Sequence, residues 1–229
     1  MSTSWIWKTS CLICLKIKGK KEKEGRGNKI QKKKNKAENS GKEFSISYNI
    51  ATHDIIAVNG GYILIGEAYY PTYTSVAHTT TSFANGVAMT QTYYTSVFNG
   101  YEYTHAFIAR FSDKGELLWD QCFEMHPFSK PMYVKHFIKI SEQTENDIAM
   151  IFASGNYVFS KVFNYDGKII SDKKVELITT GKDTEKTNWT TSNADYWFDN
   201  NFLVYGSQRV KDTEDKSRRK VFFVNKMSF

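Results

Sequence analysis

Short segments in which apolar and polar residues alternate follow one another from Phe44 to the end of the chain. Representative segments are Phe44–Ile50, Tyr62–Tyr70, Leu117–Glu124 and Tyr157–Phe163. Alternation with a period of two is typical of β-strands that bury one face. Clusters of Gly, Asn and Asp separate the segments and mark turns. The pattern therefore predicts an all-β fold for residues 44–229.

Residues 72–105 contain no Lys or Arg and are rich in Thr, Tyr, Ser and Val. They carry two Asn-Gly pairs, at 85–86 and 99–100. Asn-Gly between strand-forming runs favours a tight hairpin turn, because both central residues of that turn need positive φ. We therefore predict a three-stranded meander of Tyr73–Ala84, Val87–Phe98 and Tyr101–Phe111.

The strand pattern recurs along the chain. Residues with the same character recur at a constant separation of 52 positions: Phe107, Phe111, Gly115, Leu117, Leu118 and Asp120 are followed by Phe159, Phe163, Gly167, Ile169, Ile170 and Asp172. A third copy is weaker, with Phe202 and Gly206 in the places of Tyr62 and Gly66. Recurrence at a period near 50 residues indicates a repeat architecture. We predict units at approximately 51–125, 133–178 and 193–229.

Four local predictions complete the description of these units. We expect a strand at Val134–Ile140, a polar linker at Thr179–Ser192 and a charged hairpin loop at Lys211–Lys220. We also expect Phe44–Ile50 to complete the sheet of the third unit, because that unit has one strand fewer than the others. An N-terminal strand often closes the last sheet of a ring in this way.

The segments Gly60–Gly66, Ala106–Phe111 and Gly115–Asp120 resemble the blades of bacterial β-propeller repeat proteins. These are uncharacterised cell-surface and secreted proteins, distantly similar to quinoprotein-like propellers. The resemblance implies a partial β-propeller of about three four-stranded antiparallel blades, with a long hairpin insertion in the first. It also implies a cell-envelope or secreted location. A closed ring usually takes four to eight blades, so the alternatives are a fragment of a longer propeller, a ring assembled by two or more chains, and an open arc. We favour a fragment or an open arc, and the unpaired sheet edges of an open arc favour self-association.

The net charge of +7 comes from the N-terminal region. Residues 1–43 hold 13 Lys and Arg against 4 Glu, which leaves 18 basic and 20 acidic residues for the remainder. We predict that residues 1–43 form a disordered basic tail. Its segment Lys20–Lys36 contains no aromatic residue for base stacking, so nucleic acid is expected to bind only weakly there.

The first 17 residues do not match a secretory signal. Lys8 interrupts their apolar run, and most of the positive charge follows that run instead of preceding it. Residues 1–17 are therefore interpreted either as a weak interfacial anchor or as a damaged signal. The chain has no run of 18 apolar residues, so no transmembrane segment is predicted.

Candidate chemistry is sparse in the sequence. None of the five histidines has a second histidine at metal-ligand spacing, and Asp113, Asp166 and Asp199 are explained by turns. Cys11 and Cys14 form a C-x-x-C without a second ligand pair, and Cys122 is predicted to be a small core residue. We therefore predict no catalytic residue, no metal site and no cofactor.

Tyrosines are the best lead to function. Seven of them crowd the meander: Tyr69, Tyr70, Tyr73, Tyr93, Tyr94, Tyr101 and Tyr103. Exposed tyrosines are typical of binding surfaces and stack on sugars, whereas cross-strand packing is the structural alternative. The hypothesis is a non-enzymatic binding or scaffold module that contacts a protein or glycan through residues 69–105. The alternative is a fragment of a propeller enzyme that acts on glycans or uses a quinone cofactor.

Overall fold

The computed structural model describes residues 36, 39, 40, 48–141, 147–177 and 184–228. The chain divides into two units, Met1–Asn49 and Ile50–Phe229. In the first unit, the amide of Ser40 donates to the carbonyl of Lys36. The predicted tail, apart from residues 36, 39 and 40, lies outside the described residues. Among the residues described, no helix has the length and apolar character needed to cross a membrane.

The described residues fold into antiparallel strands in three sheets, which confirms the all-β prediction. Sheet 1 contains β1 (Asn49–Thr52), β2 (Ile56–Val58), β3 (Gly61–Ala84), β4 (Val87–Ser112) and β5 (Leu117–Glu124), in the order β1-β3-β4-β5 with β2 beside β3. Sheet 2 contains β6 (Lys139–Ile140), β7 (Asp147–Ser154), β8 (Tyr157–Asn164) and β9 (Ile169–Glu176), in chain order. Sheet 3 contains β10 (Glu185–Phe198), β11 (Asn201–Asp212) and β12 (Arg218–Ser228), also in chain order.

Sheet 2 is the middle layer of a stack, because both faces of β7 are buried. Successive side chains of a strand point to opposite faces. Met150 and Phe152 pack in one core with residues of sheet 1, including Ile65. Ala149 and Ile151 pack in a second core with residues of sheet 3, including Phe202 and Val204. The run of apolar residues in β7 follows directly from this double burial.

The central strand pairs of the three sheets share one register. Gly66 lies opposite Phe107 in sheet 1, Phe152 opposite Phe159 in sheet 2, and Gly206 opposite Phe223 in sheet 3. At Gly66 a Cβ atom would stand 2.6 Å from the Phe107 ring, so the ring occupies the space above the glycine. In sheet 2 the equivalent rings of Phe152 and Phe159 stack with centroids 5.7 Å apart.

The turns before β5 and β9 have matching hydrogen bonds. The amide of Gly115 donates to the Ser112 carbonyl at 2.9 Å, and the amide of Gly167 donates to the Asn164 carbonyl at 3.0 Å. Both glycines have positive φ, +81° and +83°. The register of strand pairing also shifts at the corresponding place beside each turn, between Arg110 and Phe111 in the first hairpin and between Val162 and Phe163 in the second.

Sheet 1 is tied to the turn of sheet 2 by polar contacts. The indole Nε1 of Trp119 donates to the carbonyl of Tyr165 at 2.7 Å, and Arg110 donates to the same oxygen. A Cβ on Gly167 would stand 2.6 Å from the Trp119 ring. The second turn therefore needs a glycine for its backbone conformation and also for its contact with Trp119.

The predicted strand Val134–Ile140 is wrong over most of its length, since only Lys139–Ile140 forms β6. The amides of Lys135, Phe137 and Ile138 donate to side chains of other segments, at distances of 3.0 Å. Those side chains are the hydroxyl of Tyr103 and the carboxylate of Glu67. Once these donors are satisfied, the segment has less need of a neighbouring strand.

Three further boundaries differ from prediction. Residues 185–192 of the predicted linker belong to β10, because threonine favours strands although it is polar. The charged loop is shorter, since β11 extends to Asp212 and β12 begins at Arg218. Residues 49–52 pair with β3 of sheet 1 and not with sheet 3, while residues 44–47 of that predicted strand lie outside the described residues.

Candidate functional site

Strands β3 and β4 extend beyond sheet 1 as a two-stranded ribbon of residues 73–98. Its pairing runs from Tyr73 opposite Phe98 to Ala84 opposite Val87. Each strand spans about 40 Å at about 3.3 Å per residue. Within the described residues no third strand pairs with the ribbon, because β5 pairs with β4 only from His105 to Phe111. Both outer edges of the ribbon are therefore open as far as the described strands are concerned.

The tip of the ribbon is the predicted Asn-Gly turn. Asn85 has a φ of +50° and Gly86 a φ of +78°. Positive φ at both central residues is the geometry of the type I′ turn, which matches the twist of the flanking strands. The prediction of a hairpin at this position is confirmed.

The second Asn-Gly pair is not a turn, so the predicted three-stranded meander is wrong. Asn99 and Gly100 lie inside the continuous strand β4, and the pairing shifts between Pro71 and Tyr73 on β3. Gly100 has a φ of +85°, and the hydroxyl of Thr72 donates to its carbonyl at 2.8 Å. These are the properties of a β-bulge, which also accommodates Pro71 within a strand.

The ribbon is uncharged and exposed on both faces. Residues 72–101 contain no Lys, Arg, Asp or Glu. Cross-strand threonine pairs line one face, with hydroxyl oxygens 3.2 Å apart between Thr79 and Thr92. On the other face the His78 ring stacks on Tyr93, with centroids 5.1 Å apart. Exposed contacts of this kind hold the two strands together without a core beneath them.

The structure separates the seven candidate tyrosines into two groups. Tyr73, Tyr93 and Tyr94 are exposed on the ribbon. The other four, which are Tyr69, Tyr70, Tyr101 and Tyr103, are half-buried or buried at its base. The Tyr69 ring lies 5.2 Å from both the Tyr101 and Tyr103 rings.

Tyr103 is buried and serves the backbone of a neighbouring segment. Its hydroxyl donates to the Lys135 carbonyl at 2.7 Å and accepts from the Lys135 amide at 3.0 Å. Burial is the main reason that the pKa of Tyr103 is raised. Because its hydroxyl is engaged and the residue is only 2% exposed, Tyr103 is not accessible to a ligand.

A second candidate site lies on sheet 1, where His53, Glu67 and His136 meet. Each offers one ligand atom, and these atoms all lie within 4.8 Å of one another. The Nε2 atom of His53 is 2.9 Å from Oε1 of Glu67, and Nδ1 of His136 is 3.6 Å from the same oxygen. The sequence predicted no metal ligands, because the three residues are far apart along the chain.

Glu67 is fully buried and is held by main-chain donors. Its Oε1 accepts from the amides of Phe137 and Ile138 at 3.0 Å, and its Oε2 also accepts from Phe137. One sequence signal pointed to it. Glu67 continues the inward-facing positions of Ile63 and Ile65 on β3, where a charged residue is unusual.

Electrostatic contacts also link sheets 2 and 3. Lys139 on β6 lies 2.9 Å from Asp195 on β10, and the Tyr205 hydroxyl donates to Asp195 at 2.7 Å. Burial alone would raise the pKa of Asp195, but the hydrogen bonds from Tyr205 and Lys139 lower it below its ordinary value. Donation to Asp195 in turn raises the pKa of Tyr205.

Two other features are weaker candidates for a functional site. Cys122 on β5 is half-buried and is not part of the buried core, so its predicted role as a small core residue is wrong. Cys11 and Cys14 lie outside the described residues. A pocket of about 180 Å³ is small beside the 300–1,000 Å³ of typical ligand sites and lies apart from the histidine cluster; it is lined by Asp147, Ala149, Val162, Ile170, Ser171, Lys173 and Asn200.

Comparisons with known proteins complete the description of these sites. No protein-family model, curated protein or solved structure matches the chain. Function is therefore inferred from the geometry of the ribbon and of the histidine cluster.

Proposed function

We propose that the chain is a non-enzymatic binding module whose ribbon pairs edge to edge with an extended strand of a protein partner. The observation that carries this proposal is the ribbon itself, which has no charged residue from 72 to 101 and whose two edges pair with no other strand of the described chain. Natural proteins protect exposed strand edges with lysines, prolines or bulges. Inside residues 73–98 none of these protections is present.

A strand partner would meet a physical need of the ribbon. A two-stranded hairpin is marginally stable in water, and a third strand would satisfy the backbone groups along one edge. Strand addition of this kind takes its affinity from main-chain hydrogen bonds and its specificity from alternate side chains. The exposed Val76, Tyr93 and Tyr94 are suited to provide that specificity.

A protein partner fits the ribbon better than a glycan. Tyr73 and Tyr94 share a face, but Tyr94 pairs with Ala77, four residues along β3 from Tyr73. At about 3.3 Å per residue the two positions are roughly 13 Å apart. Tyr93 already stacks on His78. These tyrosines therefore do not form one shared platform for a sugar ring.

The proposal can be tested with a ribbon-shortened variant, in which residues 74–97 are replaced by Asn-Gly. Tyr73 and Phe98 are direct partners, as Ala84 and Val87 are around the natural turn, so the new turn fits the existing register. The probe is a fluorescent peptide of residues 87–98, and binding is measured by anisotropy. We expect the full chain to bind the peptide and the shortened variant to lose at least tenfold in affinity.

Two controls make this result interpretable. Thermal unfolding checks that the shortened variant keeps the fold of the remaining sheets. A full chain with Ser129→Lys, an exposed change outside the ribbon, should bind like the parent. Equal binding by the parent and the shortened variant would contradict the proposal. If the full chain binds to a glycan array but not to the peptide, its ligand is a glycan and not a protein strand.

We also propose that the three sheets are consecutive blades of a β-propeller. Support comes from their shared register, from the matched turns at Gly115 and Gly167, and from their serial stacking. The outer faces of both end sheets carry exposed apolar residues where another blade would pack: Tyr62 and Leu118 on sheet 1, and Phe222 and Val224 on sheet 3.

The end faces give this second proposal its own test. Phe222→Lys combined with Val224→Lys should leave the fold intact and abolish association through that face, as measured by light scattering. The same pair of substitutions in the ribbon-shortened variant separates end-face association from ribbon association. Unfolding of the double variant, with loss of its circular dichroism signal, would show that these residues belong to the interior of the existing sheets.

A further inference from the structure

We propose that His53, Glu67 and His136 bind a first-row divalent cation, with Zn²⁺ as the first candidate. Two imidazoles and one carboxylate are a donor set that suits zinc, and related ions of this series also accept imidazole ligands. The site is independent of the ribbon, which begins at Tyr73. No other assigned property of the chain requires these three residues to meet.

The buried charge of Glu67 is the first argument. A carboxylate that is fully removed from water is costly unless a positive charge compensates it. The ion-pair partners of Glu67 in the described part of the chain are His53 and His136. A neutral imidazole carries no charge. A divalent cation shared by the three side chains would compensate the carboxylate and leave both imidazoles neutral, which is the form that binds metals.

Distances are the second argument. Tetrahedral zinc has bonds of about 2.0–2.2 Å to nitrogen and oxygen, which places neighbouring ligand atoms about 3.3 Å apart. In the structure, Oε1 of Glu67 lies 2.9 Å from Nε2 of His53 and 3.6 Å from Nδ1 of His136. These values lie on either side of the ideal one. All the ligand atoms are within 4.8 Å of one another, so small rotations of the two rings complete the set.

The surrounding shell is the third argument. Metal ligands are normally held in orientation by hydrogen bonds from a second layer of groups. The amides of Phe137 and Ile138 hold the Glu67 carboxylate, and the Tyr103 hydroxyl holds the main chain at Lys135, next to His136. Residues 134–138 do not form a strand because main-chain amides of this segment donate hydrogen bonds to Glu67 and Tyr103. The metal proposal therefore gives a reason for its irregular conformation.

Access to solvent indicates the type of site. The side chain of His136 is 43% exposed, whereas that of His53 is 13% exposed and that of Glu67 is 0% exposed. The cation would therefore enter on the His136 side and take a water molecule as its fourth ligand. Three protein ligands with one open position differ from the closed four-ligand arrangement of structural zinc sites.

The test measures metal binding by the full chain. Isothermal titration with Zn²⁺ should show a site that is weakened at least about 100-fold in His136→Gln, since even second-layer substitutions cost 10–100-fold. His136 is chosen because it is partly exposed, so its replacement should not unfold the protein. The matched control is His126→Gln, because His126 lies 3.1 Å from Glu124 in an exposed pair that has no third ligand among the described residues.

A second measurement excludes the N-terminal C-x-x-C as the source of binding. Co²⁺ bound by imidazole and carboxylate gives visible bands without the near-ultraviolet charge-transfer band of a thiolate ligand. We expect the visible bands in the parent and in His126→Gln, and their loss in His136→Gln. Undiminished binding in His136→Gln would overturn the proposal, and so would the absence of Zn²⁺ binding at a single site in the folded parent. Nuclear magnetic resonance of the parent alone should show the His53 and His136 rings shifting on addition of Zn²⁺, and unshifted rings would overturn it too.

Discussion

The same two strands, β3 and β4, lie in two different environments. In sheet 1 their inward side chains, such as Ile63 and Ile65, are completely buried against sheet 2. Beyond Tyr73 both faces of the strands are exposed, and within the described residues cross-strand pairs alone hold them together. The strand conformation therefore follows from local residue preference and pairing, whereas stability comes from the layer beneath. The segment without that layer is the one that we propose pairs with a partner.

The largest expected effect concerns burial. Ile65→Ala should lower the free energy of unfolding by about 2–5 kcal/mol, because it removes buried methyl groups and leaves a cavity. The matched change in the ribbon, Val76→Ala, should cost less than about 0.5 kcal/mol, since Val76 is 37% exposed. Urea unfolding of both variants checks this difference. Similar losses for the two would mean that the ribbon is packed against something in solution.

An intermediate effect concerns two glycines with similar backbone conformation. Gly100 and Gly86 have φ values of +85° and +78°. A Cβ on Gly100 would stand 2.9 Å from the Pro131 carbonyl oxygen, whereas a Cβ on Gly86 would meet nothing within 4 Å. Gly100→Ala should therefore cost about 1–3 kcal/mol, and Gly86→Ala about 1 kcal/mol. Thermal unfolding measures both, and a larger loss for Gly86→Ala would refute this account of the bulge.

The smallest effect concerns one hydrogen bond and its dependence on pH. Tyr205→Phe removes the donor to Asp195 and should cost about 1 kcal/mol or less at neutral pH, because Asp195 is 45% exposed. A lowered pKa of Asp195 means stability that is present above its ordinary pKa of about 3.9 and is lost as pH falls further. The raised pKa of Tyr205 means stability that is lost above about pH 10.

The difference in free energy of unfolding between the parent and Tyr205→Phe should therefore be constant near neutral pH. It should become smaller at low pH and at high pH. Urea unfolding at pH 3, 7 and 11 measures it. The control in the ribbon is Thr92→Ala, which removes the exposed contact with Thr79 and should show no such pH dependence. If the difference in free energy of unfolding stays constant below pH 4, then Tyr205 does not lower the pKa of Asp195.

Local pattern was sufficient for much of the fold. Alternation predicted β5 and β8 to within one residue at each end, because each strand has a periodic apolar face and a turn on either side. The Asn85–Gly86 hairpin was also predicted, since both residues tolerate positive φ. Predictions were wrong where a segment's conformation depended on distant residues, as at Val134–Ile140.

The candidate sites show the same division. Composition directed attention to the tyrosines of the meander, and three of them are exposed on the ribbon. It did not separate these from Tyr103, because strand residues on either side of a bulge look alike in sequence. The histidine cluster was missed, since the residues at positions 53, 67 and 136 meet only after the chain has folded.

Residue order alone determines where this chain forms strands and turns, because those conformations depend on neighbours a few positions away. It also places the matched hairpins 52 residues apart, so the same turn is built twice. The stacking of the sheets was decided by tertiary structure, and with it the burial of Glu67, the bulge at Gly100 and the exposure of the ribbon. These features depend on which distant segments exclude water from one another, and no local pattern records that choice.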